Sequence, residues 1–149
     1  MNDYEIRPYV GVGDLKFGMS REDVHRTSGL ADSTIDDEES GTIIEYRHDN
    51  TLQAAYDRNT KRLVLVSMYS PLDGVRVGDR TLDWLHSEEW YNYLCMTDPT
   101  ARQVVGISVF FKYGISTAGL LKLERGDKSV TAFAKGQWDE HDRAMKPLT

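Results

Sequence analysis

The side chains of this 149-residue chain best equipped for chemistry are four histidines, one cysteine and several runs of carboxylates. A zinc site needs ligands a few residues apart, so that one turn or one helix face delivers two of them. His25, His48, His86 and His141 stand on separate segments, none with a second His or Cys at that spacing. In "YRHDN" His48 and Asp49 are adjacent, but successive residues of a strand point to opposite faces, so the pair reads as an exposed turn. Cys95 lies in "YNYLCM" and reads as a small buried residue. No G-x-S-x-G and no Walker A loop occurs, and "VGVGD" lacks the third glycine, the preceding strand and the long helix of a dinucleotide site. The acids of "IDDEES" and "SEEW" sit among polar residues, without the desolvation that raises the pKa of a general acid. The expectation is a non-enzymatic protein with no cofactor and no metal.

The charge pattern points to a macromolecular partner. With 24 acids against 18 bases the formal charge is −6, which repels a nucleic-acid backbone and favours rapid capture of a basic protein. Asp36, Asp37, Glu38 and Glu39 form one acidic cluster. It is either a self-repelling loop that aids solubility or an acidic finger that pairs with Lys and Arg of a partner. In "WLHSEEWYNYL" Glu88 and Glu89 flank Trp90, Tyr91 and Tyr93, a composition shared by interface hot spots and by ordinary packing. Trp84 and Leu85 are the expected core residues of that segment. The named acids, with Trp90, Tyr91 and Tyr93, make up the candidate partner-binding set.

The elements that must position these residues follow from period and turn chemistry. Ser20 before Asp23 reads as an N-cap, giving a helix over about 20–28 that Gly29 stops. "ADSTIDDEES" reads as a loop. "TIIEYRHD", "LQAAYD" and "RLVLVSMYS", separated by turn residues, read as a three-stranded antiparallel meander. In its third strand, Leu63, Leu65 and Ser67 share one face and Val64, Val66 and Met68 the other. Asp79 or Thr81 then caps a second helix, "CMTDPTAR" is a loop, and "QVVGISVFFKYG", "ISTAGLLKLE" and "SVTAFAKG" are strand-like. Trp138 anchors a charged tail. Val12-Gly13-Asp14 and Val77-Gly78-Asp79 thus head two stretches with one order of elements, an internal repeat over 11–70 and 75–136. The expected fold is α+β: one domain over 1–149 of two similar units, each a short helix followed by a three-stranded meander. The two sheets could continue each other edge to edge or line a shared face that binds a partner.

The longest apolar-dominated runs, "RLVLVSMY" and "VVGISVFF", fall far short of the roughly 20 residues that span a bilayer, so no membrane partner is expected. The acidic N-terminus has no secretory pattern, and a single cysteine fits a reducing compartment, which together predict a cytoplasmic protein.

Phe17-Gly18-Met19-Ser20 followed by Asp23-Val24 resembles the segment that opens the helix-plus-sheet repeats of the beta-lactamase inhibitor protein and of SmpA/OmlA-like lipoprotein domains. "VFFKYGISTAGLLKLERGDKSVTAFAKGQW" is similar to the closing strands of small bacterial domains, some of them immunity proteins encoded beside toxins. The resemblance implies a two-repeat binding module without cofactor or catalytic residues. The function expected is therefore an immunity protein that neutralises a toxin by occluding its active site. The alternative is a module that binds a small molecule or peptide. Oligomeric state stays open.

Overall fold

The structure, a computed structural model, describes residues 3–121 and 127–148. In chain order its elements are β1 (Tyr4–Arg7), β2 (Gly11–Val12), β3 (Leu15–Lys16), α1 (Arg21–Ser28), β4 (Ser33–Asp37), β5 (Thr42–Arg47), β6 (Leu52–Asp57) and β7 (Leu63–Tyr69). They continue with β8 (Val75–Val77), β9 (Arg80–Thr81), a 3-10 turn (Trp84–His86) leading into α2 (Ser87–Thr97), β10 (Arg102–Val104), β11 (Ile107–Phe110), β12 (Ile115–Ala118), β13 (Ser129–Phe133) and β14 (Lys146–Pro147).

This is a mostly β protein, which corrects the α+β expectation of two helix-plus-meander units. The strands form a five-stranded sheet, β3-β2-β1-β8-β9, and a nine-stranded sheet, β14-β10-β11-β12-β13-β7-β6-β5-β4. β7 and β13 pair antiparallel, with Ser67 opposite Thr131, so the strands of the two stretches continue each other edge to edge, one of the arrangements expected. What overturns the two-unit fold is the additional smaller sheet and the dominance of strands. β1 and β8 pair in parallel at the centre of the smaller sheet. The short strands at the N-terminus and around Val77 were illegible because two to four residues are too few to show a period.

Local chemistry explains the helix starts. Ser20 Oγ accepts from the Asp23 N–H and the Asp23 carboxylate accepts from the Ser20 N–H, a capping box, while Gly29 at φ 80° ends α1 by returning its N–H to His25. The second helical run is not capped by Asp79 or Thr81. Those residues belong to the β8–β9 hairpin, and Asp83 accepts from the Leu85 N–H at the true start. The run extends to Thr97, taking in the first residues of the expected loop after Leu94.

The middle five residues of the segment read as a loop at 31–40 form β4, an edge strand hydrogen-bonded to β5 from Ser33–Tyr46 to Asp37–Thr42. It escaped the alternation test because both of its faces are exposed or half-buried. A register shift between Ala55 and Tyr56 changes the expected faces of β7. Leu63 pairs with Tyr56 and joins the main core, while Leu65 pairs with Ala55 on the opposite face. Leu85, expected in the core, is 87% exposed, whereas Trp84 is buried and donates its indole N–H to the Leu72 carbonyl. Of "ISTAGLLKLE", the part at 122–124 lies outside the described residues.

One face of the large sheet carries the main core. Ile43, Ala54, Tyr56, Val66, Met68, Phe110, Ile115, Val130 and Ala132 pack there with Val24 of α1, Trp90, Tyr91 and Leu94 of α2, and Ile6, Val12 and Val75 of the smaller sheet. On the other face a smaller cluster of Val109, Phe133 and Met145 gathers Tyr9, Leu65, Phe111 and Trp138 around it, so Trp138 does hold the tail to the fold.

Both Val-Gly-Asp tripeptides make two-residue hairpin loops, with Gly13 at φ 56° and Gly78 at φ 58°, a conformation that favours glycine. Their surroundings differ. A Cβ on Gly13 would lie 2.8 Å from the Asp3 carbonyl oxygen, while one on Gly78 would meet nothing within 4 Å. Gly78→Ala is therefore expected to lose about 1 kcal/mol from backbone strain alone. Gly13→Ala is expected to lose clearly more, and the urea unfolding midpoints of the two variants compare them directly.

Candidate functional site

Glu45 is the most constrained charge in the molecule. It lies in the middle of β5, completely buried, between Ile44 and Tyr46. Four donors surround its carboxylate: Tyr56 OH at 2.8 Å and Arg47 Nη2 at 3.2 Å on Oε1, and His25 Nε2 at 2.6 Å and Arg21 Nε at 3.0 Å on Oε2. Because the ionised carboxylate only accepts, His25 Nε2 carries the proton in this pair. Burial by itself pushes the Glu45 pKa up, but the bonds from His25, Tyr56, Arg21 and Arg47 outweigh it and hold the group below its ordinary range. Burial, together with the bond to Glu45, pushes the Tyr56 hydroxyl pKa up.

Arg21 and His25 are one helical turn apart, so α1 presents both to the sheet from a single side. Arg47 Nη1 donates to the carbonyls of Ser28 and Gly29 at the end of α1. A carboxylate saturated in this way has no lone pair directed at a substrate, and among the described residues no hydroxyl or thiol is hydrogen-bonded to His25. The cluster clamps a helix to a sheet. Sequence reading missed it because an isolated Glu in "TIIEYR" carries no local sign of burial.

The acidic cluster lies at the opposite side of β5, on β4 and the turn that follows it. Arg58 bridges Asp36 (2.7 Å) and Glu38 (3.2 Å), and Asp37 accepts from the Glu39 and Ser40 N–H groups, so the cluster is an ordered hairpin end. Hydrogen bonds from the Ser40 side chain and backbone lower the Asp37 pKa. With Asp32, five carboxylates lie along β4 and the turn that follows it, and Arg58, from the β6–β7 turn, pairs with two of them.

These acids border a sheet face that the helices do not occupy. Strand pairing places Ile35, Ile44, Ala55 and Leu65 in one row across β4 to β7. The next row runs Ser33, Tyr46, Gln53, Ser67, Thr131 and Ser116, across β4, β5, β6, β7, β13 and β12. Ser67 and Thr131 hydroxyls are hydrogen-bonded at 2.8 Å. Ile44, Tyr46, Gln53, Leu65, Ser67 and Tyr69 are all half-buried, and Ile35 is 51% exposed. Adaptable hydroxyl and amide groups interleaved with tyrosine and aliphatic carbon form a surface that can both hydrogen-bond and desolvate. Leu65 and Ser67 were placed together on one face of the third strand from sequence, but none of these residues was named as a site residue; the polar-apolar alternation of "TIIEYR" and "LQAAYD" was the available sign, and the row needs the register.

The structure does not bring the second half of the candidate set to this face. α2 buries Ser87, Trp90, Tyr91 and Leu94, the spacing of one helical face, against the core side of the sheet. Trp90 donates to the Arg80 carbonyl at 3.0 Å. Tyr91 reaches the Ser108 hydroxyl at 2.7 Å and packs edge-on against Phe110. Tyr93 is half-buried under the Arg80 guanidinium, 4.2 Å from its ring centre. Glu89, Trp90 and Tyr93 share a small pocket of about 190 Å³ with Asp79, Asp83 and His86, while Glu88 is half-buried and does not line it. Among the described residues no group of His, Cys, Asp or Glu is arranged to hold a metal ion, and no helix is long and apolar enough to cross a membrane.

Two outcomes follow from these placements. Trp90→Ala removes a buried indole and is expected to cost about 3–5 kcal/mol of stability in urea unfolding. Glu45→Gln leaves the buried Arg47 without its counter-charge and is expected to cost a similar ~3–5 kcal/mol. The wild-type contribution of Glu45 is complete above its ordinary pKa of 4.5 and is lost as pH falls through the lowered folded value. Unfolding measured from neutral to acid pH should accordingly show a shallower acid-side loss in Glu45→Gln than in the wild type.

No family model, curated protein or solved structure matches this chain.

Proposed function

We propose that this chain is a non-enzymatic binding protein that captures a basic protein partner on the half-exposed β4–β7 part of the sheet face that the helices leave free, and inhibits it by occlusion. The observation that carries the reading is the continuity of that half-exposed face, with Tyr46, Gln53, Ser67 and Ile44, and the acidic hairpin at its border. Acids at the rim steer a basic surface into contact and exclude acidic competitors. Tyrosine and aliphatic groups on the face then supply the desolvated contacts that slow dissociation.

Within this proposal Asp36, Asp37, Glu38 and Glu39 keep the partner-binding role expected of them. Trp90 and Tyr91 leave it, because their rings are committed to the core. Glu89 and Tyr93 line the pocket beside α2, Glu88 lies on α2 itself, and all three fall outside the contact surface. The resemblance to immunity proteins supports a toxin domain as the partner, with its basic catalytic surface covered, and a cytoplasmic encounter.

Affinity purification from the native host, followed by mass spectrometry at low and high salt, tests the reading. A stoichiometric basic partner held more tightly at low salt is the expected result. Asp36→Lys, Glu38→Lys and Glu39→Lys together should slow association with that partner by about tenfold or more at low salt. Tyr46→Ala should act mainly on dissociation. A partner whose recovery is indifferent to salt and to the triple reversal would overturn the proposal.

A further inference from the structure

The two sheets end in four edges, and these are unequal. β3, β9 and β14 contribute two residues each, and β14 ends at Pro147, which has no N–H to give. β4 offers five residues, Ser33–Asp37, as the terminal strand of the nine-stranded sheet. Along its outer side runs a row of main-chain donors and acceptors that no strand among the described residues receives, the template for adding another strand. Ser33, Thr34, Ile35 and Asp36 are exposed along this strand, and Ile35 presents apolar surface on the same face as Ile44.

The charge of this edge selects what it admits. Two copies of the chain joined through β4 would bring two sets of the five carboxylates along β4 and its turn to one seam, which like-charge repulsion disfavours. A segment carrying Lys or Arg meets the opposite condition, because its cations fall beside Asp36, Asp37 and Glu38 as its backbone pairs. From this combination of open edge, exposed Ile35 and unbalanced acid we infer that β4 is a docking strand: an extended basic segment of the partner adds along it as a further strand of the sheet. The inference rests on the proposed capture of a basic protein and states how that partner is held. Main-chain pairing supplies affinity and register, while the acids and Ile35 choose the side chains.

The probe is an alternating Lys-Val heptapeptide, offered to the full chain at low salt and read by calorimetry and by amide hydrogen exchange. Two further peptides of the same charge carry N-methyl groups on alternate backbone amides, one set in each register. Strand addition predicts that the parent peptide binds and slows exchange at amides of β4. It also predicts that one methylated register loses about tenfold or more in affinity while the other keeps it, since only one set of amides faces β4. Equal binding of both methylated peptides, still weakened by the Asp36, Glu38 and Glu39 reversals, would remove strand addition and leave electrostatic capture standing. No binding of the parent peptide would also remove strand addition, and co-purification would then decide capture independently. A doubled solution mass without peptide, with β4 amides already slowed, would assign the edge to a second copy and overturn the inference.

Discussion

The position of α1 depends on one buried carboxylate. Eight residues are too few for a helix to hold itself together in water, and α1 buries only one apolar side chain, Val24. Its hold on the sheet comes instead from Arg21 and His25 meeting Glu45, and from Arg47 reaching back to the carbonyls at its C-terminus. Removing a carboxylate from water is costly, and four donors offset that cost only when helix, β5 and β6 stand in one arrangement. The arrangement is specific for that reason: a small displacement of α1 would leave buried charge unsatisfied. Arg47 itself keeps one unpaired donor, Nε, buried beneath this network.

With α1, α2 and the smaller sheet all on the core side, the large sheet has one dry face and one partly wet one. The pairing of β7 with β13 extends this division across both halves of the chain, so hydroxyl and amide groups from Tyr46 to Ser116 fall into a single row. The same seam explains why the acids and the aromatics of the sequence part company. Asp36–Glu39 end at the free edge of β4, whereas Trp90 and Tyr91 are turned by α2 into the core against Phe110. The acidic edge also protects the free protein, since a five-residue open strand without charge invites pairing between copies.

Several elements were legible because their causes are local. The Ser20–Asp23 capping box, the Gly29 stop and the strands of "TIIEYRHD", "LQAAYD" and "RLVLVSMYS" all follow from residues within one turn or one strand. The exposed turn at His48 and Asp49, both at positive φ, is of the same kind. β4 was not legible, because an edge strand with polar residues on both sides has the composition of a loop. The helical face of α2 was written in the spacing of Ser87, Trp90, Tyr91 and Leu94, but the density of aromatics there obscured which of them that face would bury. At the candidate site the acids could be named from sequence, while the face beside them could not, since its residues come from strands paired across long stretches of chain.

The sequence by itself determined the excess of acid, the start of α1 and the central meander; the last two are set by steric or hydrogen-bonding preferences within a few residues. Only the tertiary structure decided that β7 and β13 join two sets of strands, and that Glu45 is the point where helix and sheet are tied. It also decided that the acidic segment is an open sheet edge. The physical reason is distance along the chain. Thr131 finds Ser67, and Arg21, His25, Arg47 and Tyr56 find Glu45, through packing that no window of neighbouring residues contains.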